Sequence, residues 1–377
     1  MHKENLSILI VIRHPVGGIR TFIRYVYRLF DPEKYKITII APDLEEMRTL
    51  LDDLFGYDVT FYSVSQSPSL GEFLKAILRT IRLRKVDLIH SQGLTAGVLC
   101  ILPARLLGVT HIMTAHDTFN KRQFKGIKGA AIKVLLSCGL PFINKIHCVS
   151  NDVKQNYVQY IPTMKLIPNR LHVIMNGVES ERFLGSESVD LRNQLDLPPE
   201  SFLIGFLGRF MSQKGFRYLM EAMALLVQRK DLSRTPIVIT FGEGGFIREE
   251  KRQIKNMGLE RHVHFLPFID NVAPVIKGLD VVAMPSLWEA CALLPMEVMI
   301  SGTPLITTDC IGIRETIMDT PAIIVPPANS QKLYEALAME IGHGSKARFK
   351  EFSHVAAKRF DVRDAAHKIQ QLFEEMR

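Results

Sequence analysis

Short apolar runs alternate with amphipathic stretches along the whole chain, and this alternation constrains the fold more than any other feature of the sequence. In the first half, helical periodicity separates apolar runs of strand length, which lie near residues 6–12, 36–41, 58–62, 86–90, 110–115, 145–149 and 171–175. Strands that alternate with helices form parallel sheets, because a helical crossover is needed to join two parallel strands. The first half is therefore predicted to be an α/β domain.

A second α/β pattern starts after residue 200, with apolar runs near residues 202–208, 236–241, 262–266, 280–284, 304–307 and 322–325. Between the two patterns, residues 177–200 are polar and show little periodicity, which indicates a linker. The fold class is predicted to be α/β, with two doubly wound, Rossmann-like domains at 1–176 and 201–360. The last helix, at 361–377, follows the second sheet and is predicted to pack back on the N-terminal domain.

The positive charge of the chain is concentrated in its first half. The whole chain has a net charge of +8, and residues 1–170 hold 23 Lys and Arg against 13 Asp and Glu. Such an imbalance favours an anionic partner, namely a lipid surface, a phosphorylated acceptor or nucleic acid. A nucleic-acid partner is not expected, because the sequence contains no RNP, KH or zinc-finger signature.

Cysteine usage and hydropathy indicate a cytoplasmic protein. The five cysteines form no CxxC pair, which fits reduced thiols: Cys100, Cys138, Cys148, Cys291 and Cys310. The N-terminal apolar run has the length of a strand and ends at Arg13, so no secretory signal is predicted. No segment reaches the roughly 18 apolar residues of a membrane span. At most, a peripheral association with the inner face of the cell membrane is expected.

One basic and apolar segment supports such an association. Residues 120–140 place five cations beside apolar side chains: Lys121, Arg122, Lys125, Lys128 and Lys133. A helix of this composition can lie on an anionic lipid surface. An ordinary amphipathic helix with a solvated basic side explains the pattern equally well. Both interpretations remain open at this point.

Two glutamates stand in an otherwise apolar segment. Residues 286–305 read SLWEACALLPMEVMISGTPL, and their only charged side chains are Glu289 and Glu297. Pro295 fits the first turn of a helix predicted from about residue 293 to 300. A helix N-terminus stabilises nearby carboxylates and can also receive phosphate oxygens. This explains Glu297 as a first-turn residue, but it does not explain Glu289.

Three turns that follow predicted strands could contact a nucleotide. Gly17 and Gly18 open a helix, where backbone N–H groups can approach a phosphate. Arg209 and Lys214 lie in the loop GRFMSQKG, where two cations can hold a diphosphate. The turn GEGG contains the glycines that would let a flat base lie on the main chain, and its first two residues are Gly242 and Glu243. A tight turn or a solvated loop is the alternative in each case.

Taken together, these motifs resemble the retaining glycosyltransferases of family 4, which have the GT-B fold. The resemblance is carried in the second half by GRxxxxKG at 208–215, GEGG at 242–245, PSLWEACALLPME at 285–297 and SGTPLITTD at 301–309. In the first half it is carried by the glycine pair, TAHD at 114–117, VSNDVK at 149–154 and VIMNGVESERF at 173–183. In that family the two glutamates form an E-x7-E motif, and Glu289 and Glu297 match its spacing. The resemblance implies two Rossmann-like domains that face each other across a cleft.

The resemblance also implies roles for individual residues. Arg209 and Lys214 would neutralise the diphosphate of the donor, Glu289 would hold hydroxyls of the transferred sugar, and His116 would lie beside that sugar. These four residues form the predicted catalytic set. Glu297 would accept hydrogen bonds from the ribose. Main-chain contacts to the donor would come from Gly17, Gly18, Gly242, Glu243, Ala292, Leu293 and Leu294. The common EGFGL pattern reads EACAL here, so Ala290 and Ala292 replace glycines.

The reaction implied is metal-independent, retaining hexosyl transfer from a nucleotide diphosphate sugar to a hydroxyl group. The donor would be UDP- or GDP-linked, and no further cofactor is expected. The acceptor would be lipid-linked, or a polysaccharide or glycolipid under assembly. Two alternatives remain: a nucleotide-sugar 2-epimerase of the same fold, and a catalytically silent nucleotide-sugar-binding subunit that supports a partner enzyme.

Overall fold

The computed structural model describes residues 5–15, 17–54, 56, 59–242, 244–267, 269 and 271–376. The chain forms two compact units. The first comprises Met1–Gly177 with Val362–Arg377, and the second comprises Val178–Asp361. Within the described ranges, no helix is both long and apolar enough to cross a lipid bilayer.

The first unit is built on a parallel sheet. Its described strands are β1 (Leu6–Ile12), β2 (Tyr35–Pro42), β3 (Val59–Val64), β4 (Leu88–Gln92), β5 (Thr110–Ala115), β6 (Lys145–Cys148) and β7 (Leu171–Val173). They are ordered β3-β2-β1-β4-β5-β6-β7. The central strand β1 is almost entirely apolar and buried, as expected for a parallel strand covered by helices on both faces.

Helices connect these strands. They are α1 (Gly18–Tyr27), α2 (Glu45–Asp53), α3 (Leu70–Leu83), α4 (Leu94–Leu107), α5 (Gly126–Gly139) and α6 (Asn151–Tyr160). Two of these helices begin after a serine that serves as the N-cap residue. The Ser69 side chain caps α3 by accepting from the N–H of Glu72, and the Ser150 side chain caps α6 by accepting from the N–H of Val153.

The second unit repeats this architecture. Its strands are β8 (Ser201–Leu207), β9 (Thr235–Phe241), β10 (Val263–Leu266), β11 (Val281–Met284), β12 (Leu305–Thr308) and β13 (Ile323–Val325), in the order β10-β9-β8-β11-β12-β13. All the described strand pairs are parallel. The helices are α7 (Ser180–Leu184), α8 (Leu191–Gln194), α9 (Phe216–Val227), α10 (Ile247–Asn256), α11 (Ala273–Gly278), α12 (Leu294–Ile300), α13 (Arg314–Ile317), α14 (Ser330–His343) and α15 (Lys346–Arg359).

The stretch predicted to be a linker, 177–200, is folded into the second unit. It contains α7 and α8, and the side chains of Phe183 and Leu191 are buried. The hydroxyl of Ser180 donates to the carbonyl oxygen of Ala357 at 2.8 Å. The stretch is polar because most of its residues face solvent, and the few buried apolar residues are too sparse to produce a periodic pattern.

The last helix, α16 (Val362–Glu374), belongs to the first unit. Its apolar residues recur at helical spacing, as Val362, Ala365, Ala366, Ile369, Leu372 and Phe373, and all of them are buried. The ring of Phe373 lies edge-on against Phe30, with 5.8 Å between the ring centroids. The helix packs against α1. The second half of the chain is thus inserted between the main part and the last helix of the first unit.

Each sheet has one position where the strand order reverses. In the first unit it lies between β1 and β4, and in the second unit it lies between β8 and β11. At such a position the loops at the carboxyl ends of the two strands diverge to opposite faces of the sheet, which leaves a crevice where α/β proteins bind ligands. Most of the predicted site residues follow β1, β8 or β11, whereas His116 follows β5 and Gly242 follows β9.

Candidate functional site

Two loops of the second unit meet at its strand-order reversal. The loop after β8 runs through Arg209 and a short 3-10 turn, Ser212–Lys214, before α9 begins. The loop after β11 begins at Pro285. The N–H of Leu287 donates to the carbonyl oxygen of Gln213 at 2.8 Å. A Cβ atom on Gly215 would lie 2.0 Å from the carbonyl oxygen of Pro285, so only glycine permits this approach.

Glu289 is buried, with 7% of its surface exposed, and its carboxylate receives three hydrogen bonds. Oε1 accepts from Lys214 Nζ at 2.8 Å and from Ser286 Oγ at 2.9 Å. Oε2 accepts from Gln213 Nε2 at 3.2 Å. A buried charge is tolerated when an opposite charge and hydrogen-bond donors surround it. These contacts explain how a carboxylate lies in so apolar a segment.

The backbone around Glu289 is held by β12 and the loop that follows it. The hydroxyl of Thr308 donates to the carbonyl oxygen of Ser286 at 2.6 Å. The N–H of Glu289 donates to the carbonyl oxygen of Ile311 at 2.8 Å. Gly312 has a φ of 78°, and a Cβ atom there would lie 2.3 Å from the carbonyl oxygen of Glu289. Glu289 therefore has one well-defined position.

The structure brings two of the predicted catalytic residues into direct contact, namely Lys214 and Glu289. Arg209 is exposed in the same loop as Lys214. Glu297 is half-buried in the first turn of α12, and Pro295 lies in that turn, as predicted. The helix begins at Leu294, close to the predicted start at residue 293.

The start of α12 carries the other predicted backbone contacts. Leu293 and Leu294 open the helix, so their N–H groups belong to the first turn, which has no intrahelical acceptors. Ala292 is buried, and its N–H donates to the carbonyl oxygen of Gly312 at 3.4 Å. The main-chain contact predicted for Ala292 would therefore have to replace this bond.

The turn after β9 packs against the turn after β8. A Cβ atom on Gly242 would lie 2.2 Å from the carbonyl oxygen of Gly208, and one on Gly244 would lie 2.6 Å from the nitrogen of Phe210. Both positions also have positive φ. Backbone packing thus accounts for these two glycines. Glu243, the other predicted residue of this turn, lies outside the described residues.

In the first unit, the glycine pair opens α1 as predicted. Gly17 is the N-cap residue, with a φ of 58°, and Gly18 is the first residue of the helix. A Cβ atom on Gly18 would meet none of the described heavy atoms within 4 Å. Glycine at 18 is therefore not required by packing within the described structure, and the space beside it is open.

His116 follows β5 and is half-buried. Its Nε2 lies 2.9 Å from Oε1 of Gln92, and its ring packs edge-on against Phe22 with 5.0 Å between the centroids. Burial, and to a smaller extent His147, lower the pKa of His116 to about 3. The imidazole is consequently neutral at physiological pH and can both donate and accept a hydrogen bond.

Several residues around the site were not singled out from the sequence. Gln213, Ser286 and Gly312 hold Glu289, and Gln92 contacts His116. Gln213 lies between the glycines of GRFMSQKG, and Ser286 is the second residue after β11, so position near the end of a strand was an available signal. The contacts themselves join residues 76 and 24 positions apart and cannot be found from local spacing.

Comparison with known proteins identifies the family. The model described as Glycosyltransferase Family 4 matches residues 16–182, and the model described as Glycosyl transferases group 1 matches residues 201–341. The chain belongs to the family 4 glycosyltransferases. Together the two matches cover most of both units of this glycosyltransferase.

Among its relatives is the UDP-Gal:alpha-D-GlcNAc-diphosphoundecaprenol alpha-1,3-galactosyltransferase of Escherichia coli, with 25% identity over 79% of this chain and 77% of that protein. The phosphatidylinositol N-acetylglucosaminyltransferase GPI3 subunit of Saccharomyces cerevisiae is 23% identical over 98% of this chain and 82% of that protein. The structure of Anabaena Alr3699/HepE in complex with UDP-glucose superposes with a TM-score of 0.82, at 18% identity, over 98% of this chain and all of that one. This likeness confirms the predicted GT-B fold.

Proposed function

We propose that this glycosyltransferase moves a hexosyl unit from a nucleotide diphosphate sugar to a hydroxyl group, with retention of the anomeric configuration. The observation that carries the proposal is the ion pair between Lys214 and the buried Glu289, located where the strand order of the second unit reverses. Such crevices in α/β domains receive phosphorylated ligands. A silent binding subunit and an epimerase would also bind a nucleotide sugar. Slow hydrolysis of the donor by the purified protein would exclude the silent subunit, and release of an isomerised sugar without an acceptor would indicate the epimerase.

Lys214 can serve the donor without leaving Glu289. An ammonium group has three donors, of which one is used by the carboxylate, so the others can reach phosphate oxygens. Arg209, exposed in the same loop, adds a planar fork that suits a diphosphate. As the bond between the sugar and the phosphate breaks, negative charge grows on the leaving group. Cations already in place stabilise that charge.

Glu289 is proposed to hold hydroxyls of the transferred sugar, and Glu297 to accept from the ribose. Neither residue is proposed as a covalent nucleophile. Because the two cations supply the charge neutralisation, we propose that transfer is metal-independent. Activity measured after treatment with EDTA should equal that of untreated enzyme, and a loss restored by Mg²⁺ would contradict this part of the proposal.

A UDP-linked hexose is the donor that we favour. The name of the Escherichia coli relative specifies UDP-Gal, and the Anabaena structure contains UDP-glucose. Thermal-shift screening against UDP-, GDP- and ADP-sugars tests this choice, since a ligand at 100 times its Kd stabilises the protein by about 2.7 kcal/mol. Stabilisation by ADP-sugars alone would exclude the proposed donor class. Anomeric configuration is then assigned by NMR of the product.

The acceptor is proposed to be lipid-linked. Both curated relatives carry a lipid in their names, a diphosphoundecaprenol in one and phosphatidylinositol in the other. Such acceptors remain in a bilayer, so the enzyme would have to work at a membrane surface. Helix α5 offers a surface with the required chemistry.

The exposed side of α5 is apolar. Ile127, Ala131, Val134, Leu135 and Cys138 recur at helical spacing and are all exposed, Ile127 at 91% and Leu135 at 61%. The buried residues of α5, Gly129 and Leu136, lie on roughly the opposite side of the helix. A helix that is apolar on both sides is usually buried on both. The exposed stripe therefore marks a contact surface.

Exposed cations lie at one end of this stripe. Lys121, Arg122, Lys125 and Lys128 lie at the start of α5 and on the turn before it, and all are exposed. From residue 118 to 151 the chain has no Asp or Glu. An apolar stripe with a basic end matches the interface of an anionic bilayer, where each nearby cation contributes about 1 kcal/mol.

Vesicle flotation tests this surface. The enzyme should float with vesicles containing phosphatidylglycerol and much less with phosphatidylcholine alone. Val134→Ser with Leu135→Ser, and separately Lys125→Ser with Lys128→Ser, should each reduce flotation. Met339→Ser is the matched control, because Met339 is 69% exposed on α14 of the second unit. Equal flotation of all variants, or no dependence on phosphatidylglycerol, would reject the membrane surface.

A further inference from the structure

Buried polar side chains connect His116 to the interior of the first sheet. Three adjacent strands contribute them: Gln92 and His90 from β4, Thr114 from β5 and His147 from β6. All four are buried, with at most 2% of their surface exposed. Gln92 pairs in register with Thr114, and Thr114 pairs with His147, so these side chains are neighbours across the sheet. The resulting chain of hydrogen bonds ends at a backbone carbonyl.

That carbonyl determines where each proton lies. Nε2 of His147 is 2.8 Å from the carbonyl oxygen of Ile174, which can only accept, so this nitrogen carries the proton. Burial lowers the pKa of His147 to about 4, which makes its ring neutral and its Nδ1 an acceptor. Nδ1 lies 3.1 Å from Oγ1 of Thr114. The single hydroxyl proton of Thr114 is therefore donated to His147.

The hydroxyl oxygen of Thr114 must then accept from its other neighbour. Nε2 of His90 lies 2.6 Å from it, so His90 carries its proton on Nε2. Burial holds the pKa of His90 well below its usual value, which leaves Nδ1 of this neutral ring as an acceptor. Two donors meet that nitrogen: the hydroxyl of Tyr27, and Nε2 of Gln92 at 3.2 Å.

The orientation of the Gln92 amide follows. Its Nε2 donates to His90, so its Oε1 faces Nε2 of His116 and must accept from it. The reverse orientation would either set Oε1 against the lone pair of His90 Nδ1, or require protons on both nitrogens of the buried, neutral His147. His116 is consequently left with its proton on Nε2 and its lone pair on Nδ1.

We propose that Gln92 and Thr114 are positioning residues that hold His116 as the Nε2–H tautomer, so that its Nδ1 accepts a hydrogen bond from a hydroxyl group of the substrate. This inference rests on the proposed function. The substrate group that contacts Nδ1 of His116 is then a hydrogen-bond donor, such as a sugar hydroxyl. A phosphate oxygen, which only accepts, would meet a lone pair there. The same arrangement excludes Nδ1 of His116 as the acid that protonates the leaving phosphate.

Histidine NMR tests the tautomer in the full-length protein without any substrate. Two-bond ¹H–¹⁵N correlation spectra of ¹⁵N-histidine-labelled protein distinguish the two neutral tautomers and the protonated ring. The signals of His116 are identified among the 12 histidines by their loss in His116→Gln. At neutral pH we expect the pattern of an Nε2–H ring. An Nδ1–H or doubly protonated ring at His116 overturns the proposal, whatever the fate of the variants below.

The Thr114 variants test whether the tautomer is imposed from a distance. Thr114→Val removes the hydroxyl, which frees His90 to change tautomer and the Gln92 amide to turn, so part of the His116 population should change to Nδ1–H. Thr114→Ser should restore the wild-type pattern. Thr38→Val, at a buried threonine of β2, is the control and should leave His116 unchanged. An unchanged His116 pattern in folded Thr114→Val would overturn the positioning role. A failure of the proposed hexosyl transfer would appear only in the assays with nucleotide sugars. The transfer proposal and the positioning proposal can therefore fail independently.

Discussion

At the residue scale, Glu289 shows how a costly buried charge is made stable. Its carboxylate accepts from Lys214, Ser286 and Gln213, which reach it from two different loops. The sequence identified Glu289 because a lone carboxylate in an apolar segment needs a partner. It also identified Lys214, because cations at a strand end suit a phosphate. That the two residues meet each other could not be predicted, since they lie 75 positions apart in the sequence.

Gly312 offers a sharp test of the position of Glu289. Gly312→Ala would place a Cβ atom 2.3 Å from the carbonyl oxygen of Glu289, at a φ of 78° that disfavours alanine. Displacing Glu289 should lower kcat/KM at least tenfold, equivalent to about 1.4 kcal/mol of transition-state stabilisation. Gly342→Ala in α14 is the control, because a Cβ atom there meets nothing within 4 Å among the described residues. Equal activity of the two variants would show that the backbone contact is unimportant.

At the scale of secondary structure, the sequence pattern located the strands within about two residues. β1 was predicted at 6–12 and spans Leu6–Ile12, because a continuous apolar run of this length is typical of a buried parallel strand. Helix α15, Lys346–Arg359, was not predicted. Its buried face uses small side chains such as Ala356 beside Phe349, so its apolar periodicity is weak. Tertiary packing, which one-dimensional patterns do not contain, stabilises such a helix.

The neighbouring strands β4, β5 and β6 carry buried histidines, which predicts acid sensitivity of the first unit. Burial lowers the pKa of His111 to about 3 and that of His147 to about 4, from an ordinary value of 6.5. The unfolded chain binds these protons first as pH falls, so stability is full above about 6.5 and declines down to the folded-state values. Each of these histidines should lower the free energy of unfolding by about 1 kcal/mol when the pH falls from 7.5 to 5.5.

Hydrogen exchange, corrected for its intrinsic pH dependence, measures this loss strand by strand. Protection of β4–β6 should fall between pH 7.5 and 5.5 more than that of β8. Fluorescence of Trp288, the single tryptophan, reports on the second unit and serves as an internal control. Unchanged protection of β4–β6 over this range would contradict the buried, neutral state of these histidines.

At the scale of the whole molecule, the first unit is discontinuous in sequence. Residues Val362–Arg377 complete a unit whose main part ends at Gly177. Deleting residues 362–377 would expose the side chains that α16 covers, including Phe30 and His90, so the first unit should lose stability. The unfolding transition of the first unit, measured by hydrogen exchange in β1, should move to a lower denaturant concentration. The unfolding transition reported by Trp288 fluorescence should keep its midpoint. A shift of the Trp288 transition alone would show that α16 stabilises the second unit, which would contradict its assignment to the first.

The central claim is that Lys214, held by Glu289, binds the diphosphate of a nucleotide sugar. Calorimetric titration of UDP and UMP into wild type and Lys214→Met tests it most directly, because the two ligands differ by one phosphate. Lys255→Met, at an exposed lysine of α10, is the matched control. Loss of a charged hydrogen bond costs about 1.5–3 kcal/mol, so Lys214→Met should weaken UDP binding about 10- to 100-fold and leave UMP binding nearly unchanged. Equal effects on UDP and UMP, or no effect on either, would contradict the claim.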